Sequence, residues 1–533
     1  MKKYLFLAVA ALGFAACAEK GLDNNGPEQK GELEQSYVAV TLAADDMATK
    51  AGTNPTGVYA DGSEDERKVS SAYVFFFKDN GDAFIVDQAS NVNYVSVYKG
   101  FSENTAVDDN VSDIQNAVLV IENSKGEHPT KMIAVLNWTP SKNYTISELQ
   151  TTLSDLGDET NGFIMSNAVY AQNDVEMNAS IISSENIAKS KELALANPVK
   201  IYVERLAAKV TFDAANSGEF EVGYLNNDGK SEHIVKAQIK GWELYKDYSQ
   251  STYIKDIDPE WTDLGFNWND PDWNRSYWTL STEAAKGEFA SKDFRWNTTA
   301  GEDLGLNGYF YCGENAGRSE ADRTKVIIKA QLLGADDQPI ELARWHSTDY
   351  VGDEALKTAV VNTLKHSLYS GTTSGGSTTY TSLQPGDLKI VEANEAPTGT
   401  EIKAFEVFFQ LSTEGEAKTW YEYKDGNYDS ATDEEINTRL AKVQPALRYS
   451  EGQTYYYTDI KHLGASGKTG EFGVVRNHVY KFNITDINGY GTPVFDGNTD
   501  FETPDRPKDI ETFVAAEINI LSWRVVEQDE ILN

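Results

Sequence analysis

Cysteine is scarce in this chain, and basic residues are far fewer than acidic ones. The 533 residues include 2 cysteines, Cys17 and Cys312. A chain of this length can bury a large core and does not depend on disulfides for stability. The 47 Lys and Arg stand against 83 Asp and Glu, which gives a net charge of −36 at pH 7. Because nucleic-acid binding requires clustered positive charge, this composition argues against a nucleic-acid partner.

Long apolar runs are missing after the first residues of the chain. Two lysines precede an apolar run over residues 4–14, which is too short for a permanent membrane helix and typical of a cleaved signal peptide. The run leads into Ala15, Ala16 and Cys17, which resemble the lipobox of bacterial lipoprotein signals. We therefore predict a signal peptide over residues 1–17 and a lipid on Cys17 as the sole membrane attachment. The alternative is conventional cleavage beside an incidental cysteine.

Motifs for catalysis and metal binding are also missing. The six histidines form no HExxH motif and no pair at metal-ligand spacing, and there is no P-loop or GxSxG. Cys312 lies beside aromatic residues, a setting more typical of a small buried residue than of a nucleophile. Asp263, Asp270 and Asp272 lack the ligand spacing of an EF-hand. We predict no enzyme activity, no cofactor and no metal site, with a carboxylate pair as a distant alternative.

Short strands dominate the rest of the pattern. The chain has 28 Tyr and 22 Phe, and turn residues recur throughout, as is typical of many short strands. One hairpin is predicted to turn at residues 79–81, and the polar residues 371–382 are expected to form a loop. We predict a mainly β fold of two β-sandwich domains, divided near residue 210.

Helical periodicity is limited to three segments. The first is opened by a Thr145/Glu148 capping box and has the apolar stripe Ile146, Leu149, Leu153 and Leu156; the others cover residues 353–366 and residues 432–443, the last opened by a Thr432/Glu435 capping box. We therefore expect a few short helices in a fold built mainly of strands.

An alternating strand precedes a small, polar and charged segment near the start of the chain. Val38, Val40 and Leu42 share one face of this strand. The segment that follows ends in Lys50 and Ala51, a sequence typical of a site for a trypsin-like protease. This order suggests the hypothesis that a well-formed strand is made in order to be removed.

A cluster of tryptophans is the best candidate for a ligand-binding surface. It comprises Trp261, Trp268, Trp273 and Trp278. Aromatic platforms with nearby Asp and Asn are used in sugar binding. On this hypothesis the chain would be an outer-membrane-anchored, glycan-binding lipoprotein. The alternative is a long loop that its own rings pin to the sandwich.

The segment PVKIYVERLAAKV resembles the fimbrillins, the type V pilins of Bacteroidales bacteria. The resemblance extends to further stretches, whose order is similar to that in the stalk subunit of the minor fimbriae: AVLNW, GFIMSNAVY, RSYW, YCGENA, YYYTDIKHLG, VVRNHVYKFNITDINGYGTP and INILSWRVVEQDEIL. The resemblance implies transthyretin-like sandwiches and a subunit of a cell-surface fimbrium, made as an outer-membrane lipoprotein precursor. It also implies as partners other copies of the chain, anchor and tip subunits, a trypsin-like surface protease and a host or bacterial surface ligand.

The resemblance further implies polymerisation by donor-strand exchange. Proteolysis between Lys50 and Ala51 would remove the first strand, and another chain would add its own strand to the open groove. The resemblance implies a cut after arginine in a well-known relative, whereas the matching position here is Lys50 and the nearest arginine is Arg67, which leaves the identity of the protease open. The expected donor is the C-terminal segment, with Ile518, Ile520, Leu521, Trp523, Val525, Val526, Ile531 and Leu532.

An alternative role for this C-terminal segment is the last strand of its own domain, and both roles can hold if residues up to about Arg524 close the home sheet.

The division predicted for the whole chain is a signal peptide (residues 1–17), a propeptide with the removable strand (18–50), an N-terminal sandwich domain (51–210) and a C-terminal sandwich domain ending in the donor strand (211–533).

Overall fold

The computed structural model describes residues 34–43, 58–59, 62–97, 103–104, 114–123, 127–172, 175–225, 233–256, 296, 306, 308–317, 319–392, 405–462, 466–467, 470–494, 513–521 and 524–528. Strands make up most of the described secondary structure, so the prediction of a mainly β fold with a few short helices is confirmed. Within these ranges, no helix has the length and apolar character needed to cross a membrane.

The strands up to residue 205 are β1 (Glu34–Ala43), β2 (Val58–Tyr59), β3 (Ala72–Phe77), β4 (Tyr94–Ser96), β5 (Glu103–Asn104), β6 (Ile114–Asn123), β7 (Lys131–Leu136), β8 (Leu153–Asp155), β9 (Gly157–Asp158), β10 (Gly162–Phe163), β11 (Met165–Asn167), β12 (Tyr170–Gln172), β13 (Val175–Met177), β14 (Ser180–Ile181), β15 (Ile187–Ala188) and β16 (Val199–Arg205).

The later strands are β17 (Ala208–Ala214), β18 (Glu219–Leu225), β19 (His233–Tyr245), β20 (Gln250–Thr252), β21 (Tyr309–Cys312), β22 (Lys325–Leu333), β23 (Leu342–Trp345), β24 (Thr348–Val351), β25 (Leu368–Ser374), β26 (Ser377–Ser382), β27 (Leu388–Glu392), β28 (Glu406–Leu411), β29 (Thr419–Lys424), β30 (Asn427–Ala431), β31 (Ala446–Tyr449), β32 (Gln453–Asp459), β33 (Val479–Asn488), β34 (Thr492–Pro493), β35 (Phe513–Leu521) and β36 (Arg524–Gln528).

The helices are short and include the three that the sequence predicts. They are α1 (Ile146–Thr151), α2 (Lys191–Leu195), α3 (Gly352–Leu364), α4 (Thr413–Glu416) and α5 (Asp433–Leu440), with 3₁₀ segments at Asp65–Arg67, Ala215–Gly218, Glu320–Asp322, Pro385–Asp387 and Ser450–Gly452. Both predicted capping boxes form, since the hydroxyls of Thr145 and Thr432 each accept a hydrogen bond from the backbone N–H three residues on. Helix α1 is shorter than predicted because Leu153 leaves it and pairs with Thr252.

The first sheet has the strand order β4-β3-β7-β11-β16-β1-β6-β5, with β14 paired to β7 and β15 paired to β1. Strand β16 buries Val199, Ile201 and Val203 on one face, while on the other face Lys200 is exposed and Glu204 is buried. The turn predicted at residues 79–81 forms, but its second arm contributes no strand, because β4 pairs with β3 along that edge. Val74 and Ile201 lie in the apolar core on one face of this sheet, and Phe75 and Ile133 lie in a separate apolar cluster on the opposite face.

Strand β17 begins a two-layer sandwich. One layer has the order β2-β36-β35-β33-β17-β21, and the other has the order β18-β19-β22-β32-β34. Val210 and Phe482 from the first layer share a core with Val235 and Ile328 from the second. The chain therefore changes sheets between β16 and β17, and the predicted domain division near residue 210 stays a prediction.

A third core forms between two further sheets and two helices. The sheets have the orders β24-β23-β31-β28-β27 and β26-β25-β29-β30, and α3 and α5 contribute Leu356, Val360 and Ile436 to the core. Residues 371–382 were expected to form a loop, and this expectation is wrong, because they lie largely in the hairpin of β25 and β26. Gly375 and Gly376 supply the positive φ angles of its turn, 61° and 82°.

Candidate assembly site

Strand β1 lies inside the first sheet and has partners along both edges. It pairs antiparallel with β6 from Glu34, opposite Asn123, to Ala43, opposite Ile114. On its other edge it pairs antiparallel with β15 and then, over residues 40–43, in parallel with β16. Because a central strand satisfies the ladder groups of two neighbours, the loss of β1 would leave backbone donors and acceptors unpaired on both sides.

Val38 anchors β1 in the core of the first sheet. Its side chain is fully buried, together with those of Leu119 and Ile201. The other two residues of the predicted face pair with apolar positions of β16, Val40 with Val199 and Leu42 with Ile201. Full burial of one valine contributes roughly 1.5–3 kcal/mol. The strand that is expected to be removed therefore contributes to both the core and the hydrogen bonding of the first sheet.

Strand β6 depends on β1 for its place in the sheet. In the described strand order its neighbours are β1 and β5, and β5 ends the sheet. The long β1–β6 ladder is thus the connection between this edge and the remaining strands. A strand that replaced β1 would have to bridge β16 and β6, running parallel to the first and antiparallel to the second.

Glu66, which follows the expected cleavage site, forms hydrogen bonds to residues of β16, β17 and β21. Its carboxylate accepts hydrogen bonds from Lys209 Nζ at 2.7 Å and from the Tyr311 hydroxyl at 2.5 Å, and its backbone carbonyl accepts one from Arg205 Nε at 2.7 Å. Burial alone would raise the pKa of the Glu66 carboxyl, but hydrogen bonds from Lys209, Tyr311 and Ser63 outweigh burial and hold it below its ordinary value. The ionised carboxylate therefore joins this segment to β17 and β21.

Sequence reasoning missed the Glu66 cluster. A signal was present, because Ser63 and Glu66 form a reciprocal capping pair three residues apart, with Ser63 N donating to Glu66 Oε2 at 2.8 Å. The partners Lys209 and Tyr311, however, are far away in sequence, and no local pattern indicates them. Only the packing of β17 and β21 against this turn brings the four side chains together.

The described part of the C-terminal segment closes its home sheet. Strand β35 pairs antiparallel with β33, with Ile518 opposite Phe482 and Ile520 opposite Tyr480. Strand β36 folds back onto β35 and is covered on its other edge by β2. Among the predicted donor residues, Ile518, Ile520 and Leu521 lie in β35, and Val525 and Val526 lie in β36. Their role toward a second chain stays a prediction.

The other predicted site residues lie outside the described residues: Cys17, Lys50, Ala51, Trp261, Trp268, Trp273, Trp278, Trp523, Ile531 and Leu532, together with Asp263, Asp270 and Asp272. In the part of the chain that the structure covers, no group of three or more His, Cys, Asp or Glu could hold a metal ion. Cys312 is fully buried, and burial raises the pKa of its thiol well above the ordinary value.

The chain is similar to several solved structures at low sequence identity. A candidate cell adhesion protein from Parabacteroides distasonis ATCC 8503 is 14% identical over 91% of this chain and 96% of that chain, with a TM-score of 0.36. Another candidate cell adhesion protein, from Bacteroides eggerthii DSM 20697, is 11% identical over 93% of this chain and 99% of that chain, with a TM-score of 0.33. The tip fimbrial protein Mfa3 from Porphyromonas gingivalis is 10% identical over 90% of this chain and 99% of that chain, with a TM-score of 0.29. No significant match was found among curated proteins.

A family model identifies the C-terminal region more directly. Residues 448–529 match the model described as the major fimbrial subunit protein type IV, fimbrillin, C-terminal. The matched residues include β32 to β36, so they contain the β33–β35–β36 ladder and much of the sandwich core around it. The resemblance to the fimbrillins is confirmed for residues 448–529.

Proposed function

We propose that this chain is a structural subunit of a cell-surface fimbrium and polymerises by strand exchange between copies. The fimbrillin C-terminal match supports the fimbrial role. The single observation that carries the exchange mechanism is the central position of β1, which has hydrogen-bonded neighbours on both edges. The role is structural: β1 completes the sheet in the precursor, and a strand from another copy completes it in the fibre.

The position between β16 and β6 that β1 occupies, here called the slot, restricts which strand can replace β1. The replacement must run parallel to β16 and antiparallel to β6, as β1 does. It must also present apolar side chains to the core at alternate positions, because Val38 now fills that core. Burial of about four such side chains contributes roughly 6–12 kcal/mol, before the cost of ordering the donor. This is enough for a long-lived joint without a disulfide.

We assign the donor role to the residues from Arg524 onward and the home-sheet role to β35. Strand β35 is held to β33 by nine residue pairs. Strand β36 is held by four residue pairs to β35 and by two to β2, so fewer paired residues oppose its release. The donor would thus extend from a strand that remains firmly in its own sandwich.

The Glu66 cluster supports cleavage after Lys50 in preference to Arg67. A cut after Arg67 would detach Glu66, whose side chain is 3% exposed, and would strip Lys209 of its carboxylate partner. Loss of one partner of such a buried pair is strongly destabilising, by about 3–5 kcal/mol. A cut after Lys50 removes β1 and leaves the Glu66 contacts in place.

The two sites can be separated by matched substitutions in the full precursor. Lys50→Gln is expected to leave monomers that retain residues 18–50, whereas Arg67→Gln is expected to polymerise normally. Polymerisation is followed as a ladder of denaturation-resistant multimers on gels. Multimers of Lys50→Gln that still contain residues 18–50 would refute the mechanism.

We propose in addition that the precursor is an outer-membrane lipoprotein with its lipid on Cys17, and that a trypsin-like surface protease releases it for assembly with anchor and tip subunits. Mass spectrometry of the N-terminus of protein recovered from cells tests this. Ala51 as the first residue of the multimers is the expected result. An acylated Cys17 on a stable monomer would contradict it and favour the anchored glycan-binding lipoprotein.

A further inference from the structure

The sheet of β26, β25, β29 and β30 has one face that carries hydroxyl groups and no charge. The strand register places on this face Tyr369, Gly371, Thr373, Thr378, Tyr380, Ser382, Thr419, Tyr421, Tyr423, Tyr428 and Ser430. Every side chain in this set ends in a hydroxyl, apart from the glycine. We call this surface the tyrosine face. The opposite face carries Leu368 and Trp420, which are fully buried in the third core.

The five tyrosine rings form one continuous cluster on this face. Tyr380 and Tyr428 come from the two edge strands and stack over the central strands, with ring centroids 3.7 Å apart and planes 3° apart. Tyr428 also meets Tyr369 edge-to-face at 5.1 Å and Tyr423 at 4.8 Å, and Tyr380 meets Tyr421 edge-to-face at 5.0 Å. Such contacts fix ring orientations, so the aromatic surface is preorganised.

Gly371 is required for this arrangement. A Cβ atom at position 371 would lie 2.4 Å from Cε2 of Tyr421 and 3.0 Å from Cγ2 of Thr378. Because real Cβ atoms do not approach so closely, the glycine leaves the space in which the Tyr421 ring lies over β25. The ring is therefore part of the surface of the sheet, and its position depends on the missing side chain.

Two of the rings remain open to solvent. Tyr423 is 41% exposed and Tyr428 is 36% exposed. Contacts between aromatic rings on neighbouring strands stabilise the sheet, and they leave these two rings accessible to a ligand. The protein carries a net charge of −36, yet no Asp, Glu, Lys or Arg stands on this face. Electrostatic complementarity therefore favours an uncharged ligand.

We propose that the tyrosine face binds neutral carbohydrate. Aromatic rings offer flat apolar surfaces to the C–H faces of a sugar ring, and hydroxyl groups can both donate to and accept from sugar hydroxyls. The proposal involves none of the tryptophans at residues 261–278 and does not depend on strand exchange. If the chain is a fimbrial subunit as proposed above, the tyrosine face would give it an adhesive surface.

Affinity electrophoresis of the purified full chain tests the proposal. The native gels contain yeast mannan, dextran, laminarin or xyloglucan as neutral probes and heparin as a charged probe. Wild-type protein is expected to be retarded by at least one neutral polysaccharide and not by heparin. Tyr423→Ala and Tyr428→Ala should each weaken the retardation roughly 2- to 12-fold, the range for one aromatic contact, and Tyr423→Phe should weaken it less.

Tyr309→Ala is the matched control, because Tyr309 is also 41% exposed but lies on β21. Circular dichroism verifies that each variant is folded. The proposal is overturned if no neutral polysaccharide retards the wild type, or if Tyr309→Ala weakens binding as much as Tyr423→Ala. Equal binding to a glycoprotein and to its enzymatically deglycosylated form would also overturn it and assign the face to a protein partner.

Discussion

A cavity placed in β1 should weaken the precursor and leave the fibre unchanged. Val38 and Ile201 are both fully buried in the core of the first sheet. The strand that carries Val38 leaves the subunit in the proposed mechanism, whereas β16, which carries Ile201, stays. Val38→Ala and Ile201→Ala therefore form a matched pair that differs in whether the altered residue is present after assembly.

The expected magnitudes follow from the atoms removed. Val38→Ala deletes two carbon atoms from a closed core, which costs about 1.6 kcal/mol in transfer free energy, and the remaining cavity raises the total to about 2–3 kcal/mol. Ile201→Ala removes three carbons from the same core and should cost about 2–5 kcal/mol. Both variants should lower the urea midpoint of the precursor, measured in a Lys50→Gln background that keeps it uncleaved.

The polymers made in the cleavable background should distinguish the two variants. Val38→Ala polymers should dissociate in detergent at the wild-type temperature, whereas Ile201→Ala polymers should dissociate at a lower temperature. If Val38→Ala lowers the polymer's dissociation temperature as much as Ile201→Ala does, β1 remains in the fibre and the exchange mechanism is wrong. If Val38→Ala leaves the precursor unchanged, the described position of β1 is wrong.

Three further predictions concern other parts of the molecule. Glu66→Gln should destabilise the protein by about 1.5–3 kcal/mol at pH 7. Because folding lowers the Glu66 pKa, its contribution is present above the ordinary value of 4.5 and is lost as the pH falls through the lowered value, so the difference between the urea midpoints of wild type and variant should shrink in acid. Glu159 is a half-buried carboxylate whose Oε1 lies 2.8 Å from the same Tyr311 hydroxyl, and Glu159→Gln should cost less than about 1 kcal/mol. Truncation after Trp523 should give folded monomers that fail to polymerise, and normal filaments would place the donor elsewhere. Cys312 should react with a thiol reagent at pH 8 only after unfolding, because burial raises its thiol pKa; rapid labelling of the native protein would contradict its burial.

Local patterns predicted the short elements well. The capping boxes at Thr145 and Thr432 are found because all their atoms lie within four residues. The apolar face of β16, with Val199, Ile201 and Val203, is buried, although Glu204 on the opposite face is buried as well. The same local pattern failed at Leu153, where pairing with the distant Thr252 overrides helical periodicity.

Long-range neighbours could not be read from the sequence. An alternating strand around Val38 was predictable, but nothing local indicates that it lies between β16 and β6. The hairpin of β25 and β26 was missed because threonine, serine and tyrosine occupy its outward positions, so the usual apolar alternation is absent. The tyrosine face and the Glu66 cluster both require partners brought together by the fold.

The two-residue strand β2 lies close in sequence to the expected cleavage site and pairs with the C-terminal strand β36. Val58 follows Lys50 by only eight residues and pairs with Val525 on the outer edge of β36. After cleavage, β2 would belong to a new chain end, and chain ends fray more readily than internal segments. Fraying there would uncover β36 while the slot left by β1 opens. One proteolytic cut would thus both open the site that accepts a donor strand and release the subunit's own donor strand. Uncut molecules would therefore neither start nor extend a fibre.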